Sequence, residues 1–346
     1  MSTATLEPGL PVEIGHIDRE LGKLWEDSGD TKTRASLINL AIYTEDADKV
    51  AANTELISQI ATEHACRALL IFGNPSAPDS QAKAWISAHC HLAGKGERQV
   101  CSEQITFQLD GDTVDSLPSI VFSHLDSDLP LCFWWQGEFR EQLDRELWNW
   151  IDRLIFDSAE WKNPADQFKL VQEIEALDGG RTMVCDLNWT RLLGTRFALA
   201  QLFDHSCVLS RYREIRRVTI ACNHRTTGLL LLGWLAAQSK WKHQNLLGKE
   251  FFLTAEGEHV DFVIDVVPGA DISLCRFECA KSSFEISREA GSDYFHALLS
   301  GTEACETPML ISAGKSQLAD ILVMVLSRGL KHPMYTKALS AIGPLF

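Results

Sequence analysis

The sequence predicts an α/β protein in which a Rossmann-like N-terminal domain is followed by a mixed α+β domain ending in an antiparallel meander and a C-terminal helix. Three observations carry this. Apolar runs such as "LINLAIY", "CRALLIF" and "LPLCFWW" alternate with helix-length stretches, the pattern of a largely parallel sheet. The chain has 346 residues, more than one core usually serves, so two domains are expected. From about residue 249 the texture changes to short alternating strands between Gly-containing turns, which reads as a meander.

Residues 1–30 are polar and read as a loosely attached N-terminal arm with a short helix at "IDRELGKLWED". The first domain is placed at 31–160. It opens with the strand "RASLINLAIY", the helical "DADKVAANTELISQIATEH" and the strand "CRALLIF". A turn, "GNPSAPDS", leads into "AWISAHCHL" and "VCSEQITFQL", two period-two runs joined by "AGKGERQ", a hairpin signature. Helix "DSLPSIVFSHL", strand "LPLCFWW", helix "EQLDRELWNWI" and strand "DRLIFDS" complete it. The second domain, 161–346, contains a helix over 165–177, the strand "TMVCDL", an amphipathic helix in "NWTRLLGTRFALAQLFD", the strand "YREIRRVTIAC", the buried helix "TTGLLLLGWLAAQ", the meander, and a closing helix "SQLADILVMVLSRGL".

Composition excludes several functions. A net charge of −15 opposes general nucleic-acid binding. No run of 18 apolar residues and no basic-then-apolar leader are present, so a cytoplasmic protein that does not enter a membrane is expected. The ten cysteines mostly sit in apolar, strand-like runs and contain no CxxC, so they read as small buried hydrophobes of a reducing compartment.

Catalytic motifs are scarce. "MLISAGKSQ" ends like a P-loop in Gly314, Lys315 and Ser316, but Met309 replaces the required glycine, leaving a helix N-terminus capped by Ser312 or Ser316. No G-x-G-x-x-G follows a strand, so no dinucleotide cofactor is expected. Asp126 and Asp128 form a D-x-D that could hold a metal on a nucleotide-sugar diphosphate; a transferase is therefore the alternative function, against an ordinary solvated turn. His89, Cys90 and His91 lack a second ligand pair, so no metal site is assigned. Arg211, Arg213 and Arg217 share a strand parity and could face an anionic ligand or partner as a ladder. Cys275 and Cys279 would lie ~13 Å apart in a straight strand; only a bulge would let them pair.

The segments "HACRALLIF", "VCSEQITFQLDG", "DLPLCFWWQGEF" and above all "DLNWTRLLGTRFALAQLFD" resemble the glucose-6-phosphate dehydrogenase assembly protein (OpcA) family, in the same order and over residues 64–204. The resemblance implies a non-enzymatic role without a cofactor: assembly and allosteric activation of glucose-6-phosphate dehydrogenase in the oxidative pentose phosphate pathway. It also implies thiol-based control with thioredoxin as a second partner, which draws attention to Cys275 and Cys279.

In "DLNWTRLLGTRFALAQLFD", a helix capped by Asn188 would bury Trp189, Leu192, Leu193, Phe197, Ala200 and Phe203 on one stripe. Arg191, Thr195 and Ala198 would face the other side, with Arg196 at the flank. Asp186 would pair with Arg191 or Arg196 and hold the junction. The partner-binding candidates are therefore Arg191, Arg196, Arg211, Arg213 and Arg217.

Overall fold

A computed structural model describes residues 9–26, 32–92, 99–140, 145–177, 181–301, 309–314, 317–327 and 333–346. The chain divides into two compact units, Met1–Asp157 with Gln167–Cys185 and Leu322–Gly329, and Ser158–Asp166 with Asp186–Ile321 and Leu330–Phe346. Lys315, Ser316, Cys305 and most of the "AGKGERQ" loop lie outside the described residues. No described helix is long and apolar enough to cross a membrane.

The first unit carries β1 (Leu10–Val12), α1 (Ile17–Glu26), β2 (Lys32–Arg34), β3 (Ile38–Thr44), α2 (Lys49–Glu63), β4 (Cys66–Asn74), β5 (Gln81–Leu92), β6 (Gln99–Asp110), α3 (Leu117–Ser123), β7 (Leu131–Trp135), α4 (Arg145–Trp148), β8 (Arg153–Phe156), most of α5 (Pro164–Leu177) and β9 (Met183–Asp186). Its sheet runs β1-β5-β6-β4-β3-β7-β8-β9, with β2 on β6. Strands β6, β4, β3, β7 and β8 are mutually parallel. Without the β5 hairpin, the order from β6 to β9 is that of a doubly wound dinucleotide fold. Leu40–Tyr43 and Ala68–Ile71 are fully buried, as expected of central strands covered on both faces.

Within the N-terminal segment, residues 10–21 are docked on the first unit. Leu10–Val12 pairs with Ala84–Ile86 of β5, Ile17 and Leu21 are buried, and Asp18 meets Arg67 at 2.9 Å. The polarity of its outer face hid this docking. In the hairpin, Cys90 lies opposite Cys101 and the two form a disulfide, so these two depart from the reading of most cysteines as small buried hydrophobes. Cys207 is also disulfide-bonded.

The second unit holds α6 (Leu187–Arg191), α7 (Leu193–Asp204), α8 (Ser206–Leu209), β10 (Ile215–Cys222), α9 (Arg225–Ser239), β11 (Lys242–Leu246), β12 (Lys249–Leu253), β13 (His259–Val266), β14 (Ile272–Cys279), β15 (Ser283–Ser287), β16 (Tyr294–Ser300), β17 (Met309–Ser312), the start of α10 (Leu318–Ser327) and α11 (Pro333–Ile342). Its sheet order is β11-β12-β13-β10-β14-β15-β16-β17; β10 is parallel to β13 and the remaining pairs are antiparallel. Helices α7 and α9 pack on one face, where Phe203 meets Phe277 and Phe284. Helix α9 is buried from Thr226 to Ala236, so it reads as continuously apolar.

Two expectations change. The chain does not close with the helix "SQLADILVMVLSRGL": α11 follows, Pro333 starts it where a missing N–H costs nothing, and Tyr335, Ala338, Leu339 and Ile342 form its buried stripe against α9. The helix after Asp186 breaks at Leu192, which resets its phase. The stripe buried on α7 is Thr195, Ala198, Leu199 and Leu202, whereas Phe197 is 60% exposed and Ala200 faces solvent.

Gly194, just past that break, is packed so closely that an added Cβ would fall 1.9 Å from the Ala313 carbonyl oxygen. Gly194→Ala should therefore cost about 1–3 kcal/mol or more despite alanine's better helix propensity. Urea unfolding that shows equal or greater stability would contradict this packing. Replacing Cys90 and Cys101 together by serine should lower stability by about 3 kcal/mol on loop-closure grounds, the bridged positions being 11 apart. Unfolding curves that coincide under oxidising conditions would show that the bridge contributes nothing.

Candidate functional site

In a doubly wound sheet, ligands bind beyond the carboxyl ends of the strands where the order reverses, here between β3 and β7. Strand β3 runs into Thr44, Glu45, Asp46 and Asp48 instead of a glycine-rich turn. The turn is held by its own side chains: the Asp46 N–H donates to Thr44 Oγ1 at 3.2 Å and the Asp48 N–H to Asp46 Oδ1 at 3.0 Å. Tyr43 donates its hydroxyl to Glu45 at 2.8 Å, and Arg140 donates to both Glu45 and Tyr43 at 2.7 Å. Burial, reinforced by the Glu45 charge, pushes the Tyr43 phenol above its ordinary range. The Tyr43 ring covers Gly73, where an added Cβ would meet the hydroxyl at 2.5 Å. Three carboxylates thus surround the helix end that would receive a pyrophosphate, and they would repel it. The sequence signal for this was the acidic run directly after a strand.

The junction at Asp186 is a second polar centre, contained in the second unit. Asp186, 2% exposed, accepts from the Ser158 hydroxyl at 2.7 Å, the Ser158 N–H at 3.2 Å, the Asn188 N–H at 2.9 Å and the Tyr335 hydroxyl at 3.1 Å. Asn188 extends the network, donating to Ser158 at 3.0 Å and accepting from Thr227 at 2.8 Å. Asp186 caps the helix rather than Asn188. Arg196 lies over the Trp189 ring at 3.7 Å and donates to the Trp189 and Leu192 carbonyls. Ser158 and Tyr335 were missed because each is remote in sequence. Ser158, Asn188 and Tyr335 all donate to Asp186, so the arrangement reads as a structural clasp.

The arginine ladder does not form. Strand β10 starts at Ile215, and Arg211 and Arg213 precede it in and beside a short 3-10 turn, Tyr212–Glu214. Arg217 is on the strand, flanked by Asp261 at 3.8 Å and Glu278 at 4.0 Å; Arg213 approaches Glu256 at 3.9 Å. Arg191 ends α6 and is partly buried.

Opposite the helices, the second sheet has a face on which the described side chains are half-buried to exposed. Val263, Thr219, Arg276, Glu285 and Leu298 form one row across five strands, and Asp265, Ala221, Leu274, Ser287, His296 and Leu310 the next. Val263, Leu298, Tyr294 and Leu310 are 40%, 41%, 52% and 65% exposed on this face. Arg276 pairs with Glu285 within it.

The other candidates are placed as follows. Cys275 is fully buried between Ile220 and Ile286 and Cys279 is half-buried at the end of the same unbroken strand, so the two are held apart. Burial pushes the thiols of Cys66 up to about 12 and Cys132 up to about 11, and raises those of Cys222, Cys275 and Cys279. Asp126 faces Arg34 at 3.4 Å and Arg67 at 3.9 Å, cations that stand where a D-x-D metal would. Asp128 is exposed with φ 74°. His89 bonds Gln104 at 2.7 Å, and no trio of His, Cys, Asp or Glu with metal-binding geometry occurs among the described residues.

Residues 57–173 match the family model described as glucose-6-phosphate dehydrogenase subunit N-terminal domain, and residues 182–339 match the corresponding C-terminal domain. An OxPP cycle protein OpcA from Nostoc punctiforme is 26% identical over 231 residues, covering 63% of this chain and 49% of that protein. Its counterpart from Synechocystis is 28% identical over 190 residues, covering 53% and 38%. The alignments span about half or less of these relatives' length. Among solved structures, an aldose-aldose oxidoreductase from Caulobacter crescentus is similar with 10% identity and a TM-score of 0.47, covering 89% of this chain and 96% of that one.

Tyr335→Phe removes one donor from the Asp186 clasp and should destabilise the protein by about 1–3 kcal/mol, read as a lower urea midpoint at unchanged slope. An unaltered midpoint would mean that Tyr335 contributes nothing to the clasp.

Proposed function

The chain belongs to the glucose-6-phosphate dehydrogenase assembly (OpcA) family, and we propose that it acts as a non-catalytic factor that docks on glucose-6-phosphate dehydrogenase and favours its active form. The observation that carries this reading is the match of both family domains, together over most of the chain. Two structural features support it. The fold's ligand crevice is occupied by Glu45, Tyr43 and Arg140, which suits a scaffold that has given up dinucleotide binding. The face of the second sheet opposite the helices offers a flat surface of Val263, Leu298, Tyr294 and Leu310 interleaved with charges, the mixture of a protein interface.

In this reading the dehydrogenase lies on that face, with Arg217 at its margin. Arg191, Arg196, Arg211 and Arg213 contribute at most to the rim, because Arg196 is stacked on Trp189 and Arg213 already has a carboxylate near. Activation requires tighter binding to the active state than to the inactive one; about 1.4 kcal/mol of difference shifts the balance tenfold. We place thiol control, with thioredoxin as the reductant, on the Cys90–Cys101 bridge, whose Cys90 end is exposed, rather than on Cys275 and Cys279. Cys275 is sealed in the core and its thiol is raised by burial, which opposes reactivity.

Leu298→Asp and Val263→Asp should each weaken co-elution with the cognate dehydrogenase by about tenfold or more while leaving the circular dichroism spectrum unchanged. The gain in dehydrogenase activity at low glucose 6-phosphate should fall in parallel. Full activation by both variants would move the docking site off this face, and no complex with the unaltered chain would sink the assembly reading.

A further inference from the structure

The connection between α4 and β8 holds a tryptophan out to solvent on a fixed backbone. Trp150 is 64% exposed, yet the chain around it is tied down. The Trp150 N–H donates to the Leu147 carbonyl at 3.1 Å, Arg181 donates to the Asn149 carbonyl at 2.7 Å, and the buried Thr182 hydroxyl donates to the Ile151 carbonyl at 2.9 Å. The indole meets the Phe122 ring at 5.5 Å and an angle of 50°, so the two rings make a corner. A large ring kept in water forgoes the stabilisation that burial gives.

A cavity of about 530 Å³ opens against this corner, within the first unit. Leu125, Leu129 and Leu131 add apolar lining. The loop Asp126–Leu129, also in the lining, is clamped by the buried Asn39. Its amide donates to the Asp126 and Leu129 carbonyls at 2.9 and 3.0 Å and accepts from the Asp126 N–H at 2.8 Å. Within this loop Asp128 takes φ 74°, a region that residues other than glycine seldom occupy. Asp128 and Asn149 are exposed, and their side chains make no hydrogen bond among the described residues. The other two lining carboxylates are engaged: Asp152 accepts from the Leu131 N–H at 2.8 Å, and Asp126 faces Arg34. Against three aspartates the lining sets one cation, Arg181, so a phosphate or other anion is disfavoured.

We propose that this cavity binds a neutral saccharide. A pyranose carries C–H groups on its faces and hydroxyls around its edge, which matches an exposed indole beside polar side chains. The sugar ring stacks on Trp150 and meets Phe122 at the corner. Its hydroxyls donate to the Asp128 carboxylate and exchange hydrogen bonds with the Asn149 amide. The volume falls in the usual range of small-molecule clefts, roughly 300–1,000 Å³, and admits a mono- or disaccharide. Because hydrogen bonds fix both segments before a ligand arrives, little ordering entropy opposes binding. The site belongs to the first unit and is tested on the chain alone, so its failure leaves the docking reading untouched.

Saturation-transfer NMR titrations of the full chain with glucose, galactose, maltose and cellobiose read it directly. Saturable binding of at least one of them is expected. Trp150→Ala should weaken that binding about tenfold or more, and Asp128→Ala about fivefold. Trp150→Phe should keep most of it, since a flat ring remains. Both positions are exposed, so the circular dichroism spectrum and the urea midpoint should stay as they are. Leu247→Ala, an exposed apolar change in the second unit, should leave the affinity unchanged. No saturable signal from any of the four sugars, or equal affinity in Trp150→Ala and Leu247→Ala, overturns the proposal. Saturable binding of tetramethylammonium alone would assign the corner to organic cations and overturn it as well.

Discussion

Asp186 sets the terms for the second unit: a carboxyl group that is 2% exposed must be surrounded by donors, and the donors come from far apart in the chain. Ser158 approaches from just beyond β8, Asn188 from the first turn of α6, and Tyr335 from α11. Through Asn188 the clasp reaches Thr227 and hence α9, the helix that covers the sheet. Four segments are thereby fixed against one another by directional bonds, on top of the non-directional packing of Phe203, Phe277 and Phe284. With one face of the sheet so firmly covered, the alternation along β14 to β16 leaves the other parity outward.

The first unit keeps the strand order of a doubly wound fold and furnishes the turn after its first central strand with acidic side chains. Fold licenses no activity by itself. The order β6-β4-β3-β7-β8-β9 is intact, and so is the turn into α2. The turn, however, is furnished with Glu45, Asp46 and Asp48, and Arg140 is committed to Glu45 and Tyr43. Such a crevice stabilises its own loops. The outer face of the second sheet offers a further surface, with Val263, Leu298, Tyr294 and Leu310 exposed.

Much of this was legible in the sequence, for physical reasons. Buried parallel strands read as unbroken apolar runs, so β3, β4, β7 and β8 were visible as such, and the missing glycine fingerprint was visible by inspection. The hairpin is legible too, because its two strands alternate at period two, and its register sets Cys90 opposite Cys101. Periodicity failed where a local break shifts phase: Leu192 turns the stripe of α7, and the 3-10 turn before Ile215 removes Arg211 and Arg213 from the parity of Arg217. The amphipathic stripe of α11 was present in the sequence but sat behind Pro333, a residue that starts a helix as readily as it stops one. The partners of Asp186 were out of reach because they are tertiary: nothing local in a sequence ties Ser158 to Tyr335.

The central claim is that the face of the second sheet opposite the helices meets the dehydrogenase. Amide hydrogen exchange of the chain, alone and with saturating glucose-6-phosphate dehydrogenase, tests it most directly. The account predicts added protection centred on β14, β15 and β16, across Leu274, Glu285 and Leu298. Protection confined to the Glu45–Arg140 crevice, or none on the sheet, would contradict it.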